Sequence, residues 1–280
     1  MVRFRPGMPI QPPSPYALGS TEAEHERLIW QAHRAAPATE RLFREAGIGL
    51  GQRVLDIGSG VGDVALLLAG LVGPSGEVVG IEREATSIAK ARTRVAEARL
   101  HNVTFTQSDV GDIPSGKPFD AAVGRFILMF LPDPPAVLRS VVKVVRSGGV
   151  VAFLEPSWAP VLARLVPLPL WSRTAGLIQD TFLRTGANPE MGIDMYTAFQ
   201  TAGLPPPTMR LEMPLGKDPD FAEWFYGLVR TLQPQMREIG LPVEALGSLD
   251  TLLERLQAEV DASPTLAAWM APVAAWARKP

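Results

Sequence analysis

The chain contains no cysteine. That excludes disulfides, thiolate metal sites and a cysteine nucleophile. Histidine is scarce, with three residues, and His25 and His33 have no partner at metal-ligand spacing, so no metal site is expected. An excess of positive charge is also missing. The formal net charge is −2 and the pI is near 6.0, so nothing in the global field favours nucleic acid. No apolar run approaches the roughly 20 residues of a membrane span; the longest, Val64–Val72, stops at Gly73-Pro74. The start "MVRFRPGMPIQPPSP" lacks an apolar signal core. The expectation is a cytoplasmic protein that neither inserts in membranes nor binds nucleic acid. The sequence leaves the oligomeric state open, a homodimer included.

What is present is a change of rhythm. Thr21 and Glu24 have capping-box spacing ahead of "EAEHERLIWQAHRAA". Pro37 suits the first turn of a second helix, "PATERLFREAG". From Arg53, short apolar runs alternate with helical patterns: "RVLDI", "DVALLLAGLVG", "EVVGIE", "SIAKARTRVAEARL", "VTFTQSD", "FDAAVG", "PAVLRSVVKVVRSGG" and "VVAFLE". Strands that read as continuous apolar runs predict a parallel sheet covered on both faces. Beyond Glu155 come helical stretches broken by prolines, a strand-like "PTMRLEMPLG", two further helices "DFAEWFYGLVRTL" and "PVEALGSLDTLLERLQAEV", and a last strand in "APVAAWARKP".

The stretch "VLDIGSGVGD" holds Asp56 and glycines at 58, 60 and 62. A strand that ends in glycines and opens a helix brings backbone N–H groups to a ligand. The dinucleotide fingerprint wants a third glycine at position 63, where this chain has Asp. Acidic side chains here sit poorly against a pyrophosphate and well against an ammonium.

The pattern resembles the first motif of the class I S-adenosylmethionine (SAM)-dependent methyltransferases. "VVGIERE", "TFTQSDVGDIP", "FDAAVGRFILMFLPDP" and "LRSVVKVVRSGGVVAFLEP" resemble that family's later motifs, in order. The chain ends, "YALGSTEAEHERL" and "VAAWARKP", resemble a small-molecule branch of the ubiquinone/menaquinone type. The resemblance implies a doubly wound seven-stranded α/β sheet of order 3-2-1-4-5-7-6 with the last strand antiparallel. It implies SAM as cofactor, held by Asp56, Gly58, Ser59, Gly60 and Gly62. Glu82, with Arg83 beside it, would meet the ribose hydroxyls. Asp109, with Val110, would meet the adenine, although Asp112 could serve instead. Arg125 follows the fourth strand near the ligand, and Tyr16 would close over the methionine moiety.

Three segments are expected: residues 1–49 as a helical lid, 50–156 as the SAM-binding core, and 157–280 as the rest of the sheet with helices that cap the acceptor. Trp158, Trp171, Phe182, Trp224, Phe225 and Tyr226 fall in the added helices and predict a small, fairly hydrophobic methyl acceptor. "LPDPP" lies beyond the fourth strand with no aromatic residue after it to stack a flipped base, and reads as a helix start. No general base is identified; His25, His33, Tyr16 and Glu155 are the candidates. The competing readings are a nicotinamide-dependent oxidoreductase and a SAM-binding protein that does not methylate.

Overall fold

A computed structural model describes residues 21–113 and 116–280, apart from the side chain of Ala23. Tyr16 lies outside the described residues. The first helix, α1 (Glu22–Glu45), is capped by Thr21, whose hydroxyl accepts from the Glu24 N–H at 3.2 Å. It runs unbroken through Pro37, where the sequence suggested a second helix. Pro37 and His33, whose carbonyl it cannot serve, are both exposed, so water can satisfy the missing bond.

The alternating segment gives β1 (Arg53–Ile57), α2 (Asp63–Val72), β2 (Glu77–Glu82), α3 (Ala85–Glu97), β3 (Val103–Gln107) and β4 (Phe119–Arg125). A 3₁₀ turn at Leu128–Phe130 leads to α4 (Pro134–Val144) and β5 (Val145–Pro156). Asp133 caps α4 by accepting from Ala136 N at 2.9 Å, so the two prolines do begin a helix. That helix is shorter than its pattern suggested, because Val145 is already extended and pairs with Phe119.

The remainder folds as α5 (Ala159–Leu165), α6 (Pro169–Arg184), α7 (Met191–Thr201), β6 (Thr208–Leu211), β7 (Leu215–Gly216), α8 (Pro219–Glu238), a 3₁₀ turn at Val243–Leu246, α9 (Leu252–Ala262), β8 (Ala267–Ala268) and β9 (Pro272–Arg278). The stretch expected as one helix from Pro242 to Val260 is split at Gly247, whose φ of 70° is left-handed.

The main sheet has the order β3-β2-β1-β4-β5-β9-β6. Strands β1 to β5 are parallel, and β9 is antiparallel to both β5 and β6. This is the expected seven-stranded order; the seventh strand is β9 because the ribbon β7–β8 intervenes. Each face of the sheet carries its own buried apolar cluster. Side chains of Leu55 and Ile57 pack on one face and those of Val54 and Ala121 on the other, as continuous apolar strands require. Among the described residues no helix is long and apolar enough to cross a membrane.

Candidate active site

A cavity opens at the C-terminal ends of β1, β2 and β4, the edge where ligands bind in doubly wound sheets. Its floor is the loop from β1 to α2. Gly58, Gly60 and Gly62 all have left-handed φ, of 65°, 50° and 88°. Their surroundings differ. A Cβ on Gly58 would sit 2.7 Å from Ile127, and one on Gly62 would sit 3.1 Å from Ala91 and 3.3 Å from Phe105. A Cβ on Gly60 would meet nothing within 4 Å. Gly62 lets the start of α2 approach α3 and β3, and it does not itself line the cavity. Gly60 faces open space.

The loop's N–H groups are largely engaged within the protein. Ser59 donates to Ile81 O, Gly60 to Glu82 Oε2 and Gly62 to Ser59 O, each at 2.9 Å. Glu82 Oε1 accepts from Arg83 N at 2.8 Å and Glu84 N at 3.0 Å. A pyrophosphate would find few free donors here and several carboxylates.

Glu82, Arg83, Asp109, Val110 and Arg125 reach the cavity wall, together with Gly58, Ser59 and Gly60. Asp109 is exposed, and its Oδ1 accepts from Gly111 N at 2.9 Å. Asp112 is not on the wall. Asp56 stands behind the loop, 1% exposed, rather than on its surface. Its Oδ2 and the Ser59 hydroxyl are buried without a hydrogen-bond partner among the described residues. Burial pushes the Asp56 carboxyl up to about 8, against the pull of the Arg125 guanidinium. Burial also lowers Arg125, which Asp63 and Asp56 oppose.

The opposite wall is apolar. Trp158 stacks on Trp224 at 5.9 Å and 27°, Phe182 meets Trp158 edge-on, and Phe130 meets Phe182 edge-on. Of the six aromatics expected to surround an acceptor, Trp158, Phe182 and Trp224 line the cavity. Trp171 and Phe225 are fully buried core, and Tyr226 lies under Arg230 away from the wall. Met129, Phe130 and Met270 also line it and were not foreseen. Met129 and Phe130 could have been read from "RFILMF", an apolar run directly after a strand end. Arg27 and Gln31 of α1 reach the wall too, and nothing in their helical pattern marks them.

The expected bases separate. His33 is exposed and off the cavity wall. Glu155 is fully buried and is also absent from the wall. Its oxygens accept N–H bonds from Ile127 and Leu128 at 2.9 Å and from Met129 at 3.2 Å. This carboxyl, pushed up to about 7 by burial, holds the turn after Phe126, whose φ of 54° is unusual for a bulky residue. His25 alone among the described candidates lines the cavity, with Nε2 3.3 Å from Ser87 Oγ and Nδ1 3.7 Å from Glu22.

Comparison with known proteins agrees with this geometry. A family described as a methyltransferase domain matches residues 49–189, half of the chain. An arsenite methyltransferase of Halobacterium salinarum is 33% identical over 111 residues, 39% of this chain and 28% of that protein. A 2-phytyl-1,4-naphtoquinone methyltransferase of Synechococcus elongatus is 34% identical over 136 residues, 46% of this chain and 58% of that protein. The chain thus spans between about a quarter and three-fifths of the length of these curated relatives. The crystal structure of geranyl diphosphate C-methyltransferase from Streptomyces coelicolor A3(2), with Mg2+, geranyl diphosphate and S-adenosyl-L-homocysteine, has a TM-score of 0.56 at 17% identity. The alignment covers 96% of this chain and 89% of that one.

Proposed function

The chain belongs to the methyltransferase-domain family, and from that premise we propose that it transfers the methyl group of SAM to a small, fairly hydrophobic acceptor. The observation that carries this reading is the division of one cavity into a polar, acid-rich floor at the strand ends and an aromatic wall from the added helices. The buried, unpartnered Asp56 and Ser59 oxygens fit a ligand that brings a cation and donors. The open space over Gly60 fits a ligand pressed against the loop backbone.

On this reading, Gly58, Ser59 and Gly60 hold the amino-acid end of SAM, with the Asp56 field behind them. Glu82 has acceptor capacity left for ribose hydroxyls, and Asp109 with Val110 borders the adenine. The bound sulfonium supplies an activated methyl group. The chain's own part is to orient acceptor and donor in line and to exclude water. The helices of residues 157–280 cap the acceptor, and α1 runs over both ends of the cavity, with His25 beside Ser87 and Gln31 against Trp224.

The oxidoreductase reading is disfavoured by Asp63 in the fingerprint position and by a loop whose N–H groups are engaged. Incubation with methyl-labelled SAM and a panel of small aromatic and isoprenoid acceptors tests the proposal. Transfer of label to an extractable product is expected. Binding of SAM without transfer to any acceptor would favour the non-methylating alternative.

A further inference from the structure

Where α1 crosses the aromatic wall, one amide is held in a defined orientation with its donor end unused. Arg27 Nη1 donates to Gln31 Oε1 at 2.8 Å, and Trp224 Nε1 donates to the same oxygen at 3.0 Å. Guanidinium and indole N–H groups can only donate. The atom facing them must therefore be the amide oxygen, and the Gln31 NH₂ must face away from them. That NH₂ has no hydrogen-bond partner among the described residues, and Gln31 lines the cavity. Arg27 is itself fixed, because Glu24 accepts its Nε and Nη2 hydrogens at 2.7 Å each. Glu24 is 1% exposed, so the anchor is buried and rigid.

Beside this amide stand Trp158, Trp224 and Phe182, a surface suited to flat rings. The arginines on the wall each have a carboxylate close by: Arg27 has Glu24, Arg83 has Glu84, and Arg125 has Asp63 and Asp56. Arg27, the arginine bonded to Gln31, therefore presents no uncompensated positive charge to an acceptor beside the amide. We propose that Gln31 Nε2 donates a hydrogen bond to an oxygen of the methyl acceptor, and that the acceptor is an uncharged, ring-bearing molecule with a carbonyl-type oxygen on the side facing α1. This rests on the reading of the cavity as shared by SAM and an acceptor. It makes Gln31 a specificity residue, set in place by Arg27 and Trp224.

The test uses two probes that differ by one carbonyl, 1-tetralone and tetralin, with 2-naphthoate as a charged control. Binding is measured by calorimetry to the full chain saturated with S-adenosylhomocysteine. The informative variant is Gln31→Glu. It keeps an oxygen for Arg27 and Trp224, loses the donor and adds a negative charge, so the neutral Gln31→Leu is read beside it. Relative to the unaltered chain, Gln31→Glu should weaken 1-tetralone roughly three- to tenfold more than tetralin, the range of one neutral hydrogen bond. Gln31→Leu should show the same difference. Equal effects on both probes would overturn the role of Gln31. Tighter binding of 2-naphthoate than of 1-tetralone would overturn the uncharged acceptor. Failure of the unaltered chain to bind either neutral probe at millimolar concentration would overturn the ring-bearing class. S-Adenosylhomocysteine affinity should be unchanged in both variants. If the unaltered chain binds none, the SAM reading fails, and the tetralone–tetralin difference, remeasured without it, still decides whether Gln31 is a donor to the cavity.

Discussion

Gly60 donates its backbone N–H to Glu82 Oε2 across 2.9 Å, which makes the glycine loop and the acidic end of β2 one hydrogen-bonded unit. The same carboxylate holds the N–H groups of Arg83 and Glu84 through its other oxygen. Glu82 thus shapes the floor as well as facing it. Glu82→Ala should weaken SAM binding by roughly 1.5–3 kcal/mol, the scale of a charge-assisted hydrogen bond. Calorimetry checks this. Unchanged affinity in a correctly folded variant would remove Glu82 from the binding site.

The contrast among the three glycines gives a second expectation. A side chain at Gly60 meets open space, whereas one at Gly58 runs into Ile127. Gly60→Val should keep the fold, with a loss of about 2–3 kcal/mol for a β-branched residue at left-handed φ. It should bind S-adenosylhomocysteine at least a hundredfold more weakly, because the valine occupies the ligand's space. Thermal melting and calorimetry together decide it. Retained binding would place the ligand elsewhere.

The core was legible because β1, β4 and the second half of β5 are buried on both faces and so read as apolar runs, whereas the edge strand β3 alternates buried Val103 and Phe105 with exposed Thr104 and Thr106. The sheet order came from the family resemblance, since periodicity carries no order. Elsewhere the surroundings decide what a local signal does. Pro37 looked like a helix start, but exposure of the turn before it allows α1 to continue. Gly62 lies in the glycine loop, and the space its missing side chain leaves is taken up by Ala91 and Phe105, which no sequence pattern signals. Glu155, one of four candidate bases in the sequence, accepts from three backbone N–H groups, a role that only the folded turn reveals. Arg27 and Gln31 were invisible because polar residues on an amphipathic helix usually face water, and only the packing of α1 over α8 turns them inward.

Asp56 gives a pH expectation. Its carboxyl is raised from 3.8 to about 8 chiefly by burial. In the unfolded chain it ionises near its ordinary value, so its contribution to stability is fully present below pH 3.8 and is lost as the pH rises to about 8. Relative to Asp56→Asn, the unaltered chain should therefore lose stability across that window. Binding should run the other way. A cationic ammonium favours the ionised carboxyl, so S-adenosylhomocysteine affinity should rise between pH 6 and 7.5, by at most about tenfold per pH unit. Asp56→Asn should flatten that dependence. Denaturant melts and calorimetry over the pH series check both signs, and a parallel profile in the variant would assign the effect to another group.

The last expectation concerns proton transfer. With an acceptor in hand, no described candidate should prove indispensable as a base. His33→Ala should leave turnover within about twofold, since His33 is exposed and off the cavity wall. Glu155→Ala would strip the Ile127, Leu128 and Met129 N–H groups of their acceptor. It should cost on the order of 3 kcal/mol of stability, because buried donors left unpaired are expensive. Its remaining folded fraction should still turn over. His25 is the sharper case, for it lines the cavity beside Ser87. A positioned base typically adds about 10²–10⁴-fold, while positioning alone can contribute up to roughly 7–11 kcal/mol. If positioning dominates, His25→Ala should lower kcat less than tenfold and leave the shape of its pH profile unchanged. A loss above a hundredfold, with SAM and acceptor still bound and an acidic limb erased from the profile, would make His25 the base. The acceptor atom would then be one that must lose a proton, a hydroxyl or a carbon acid.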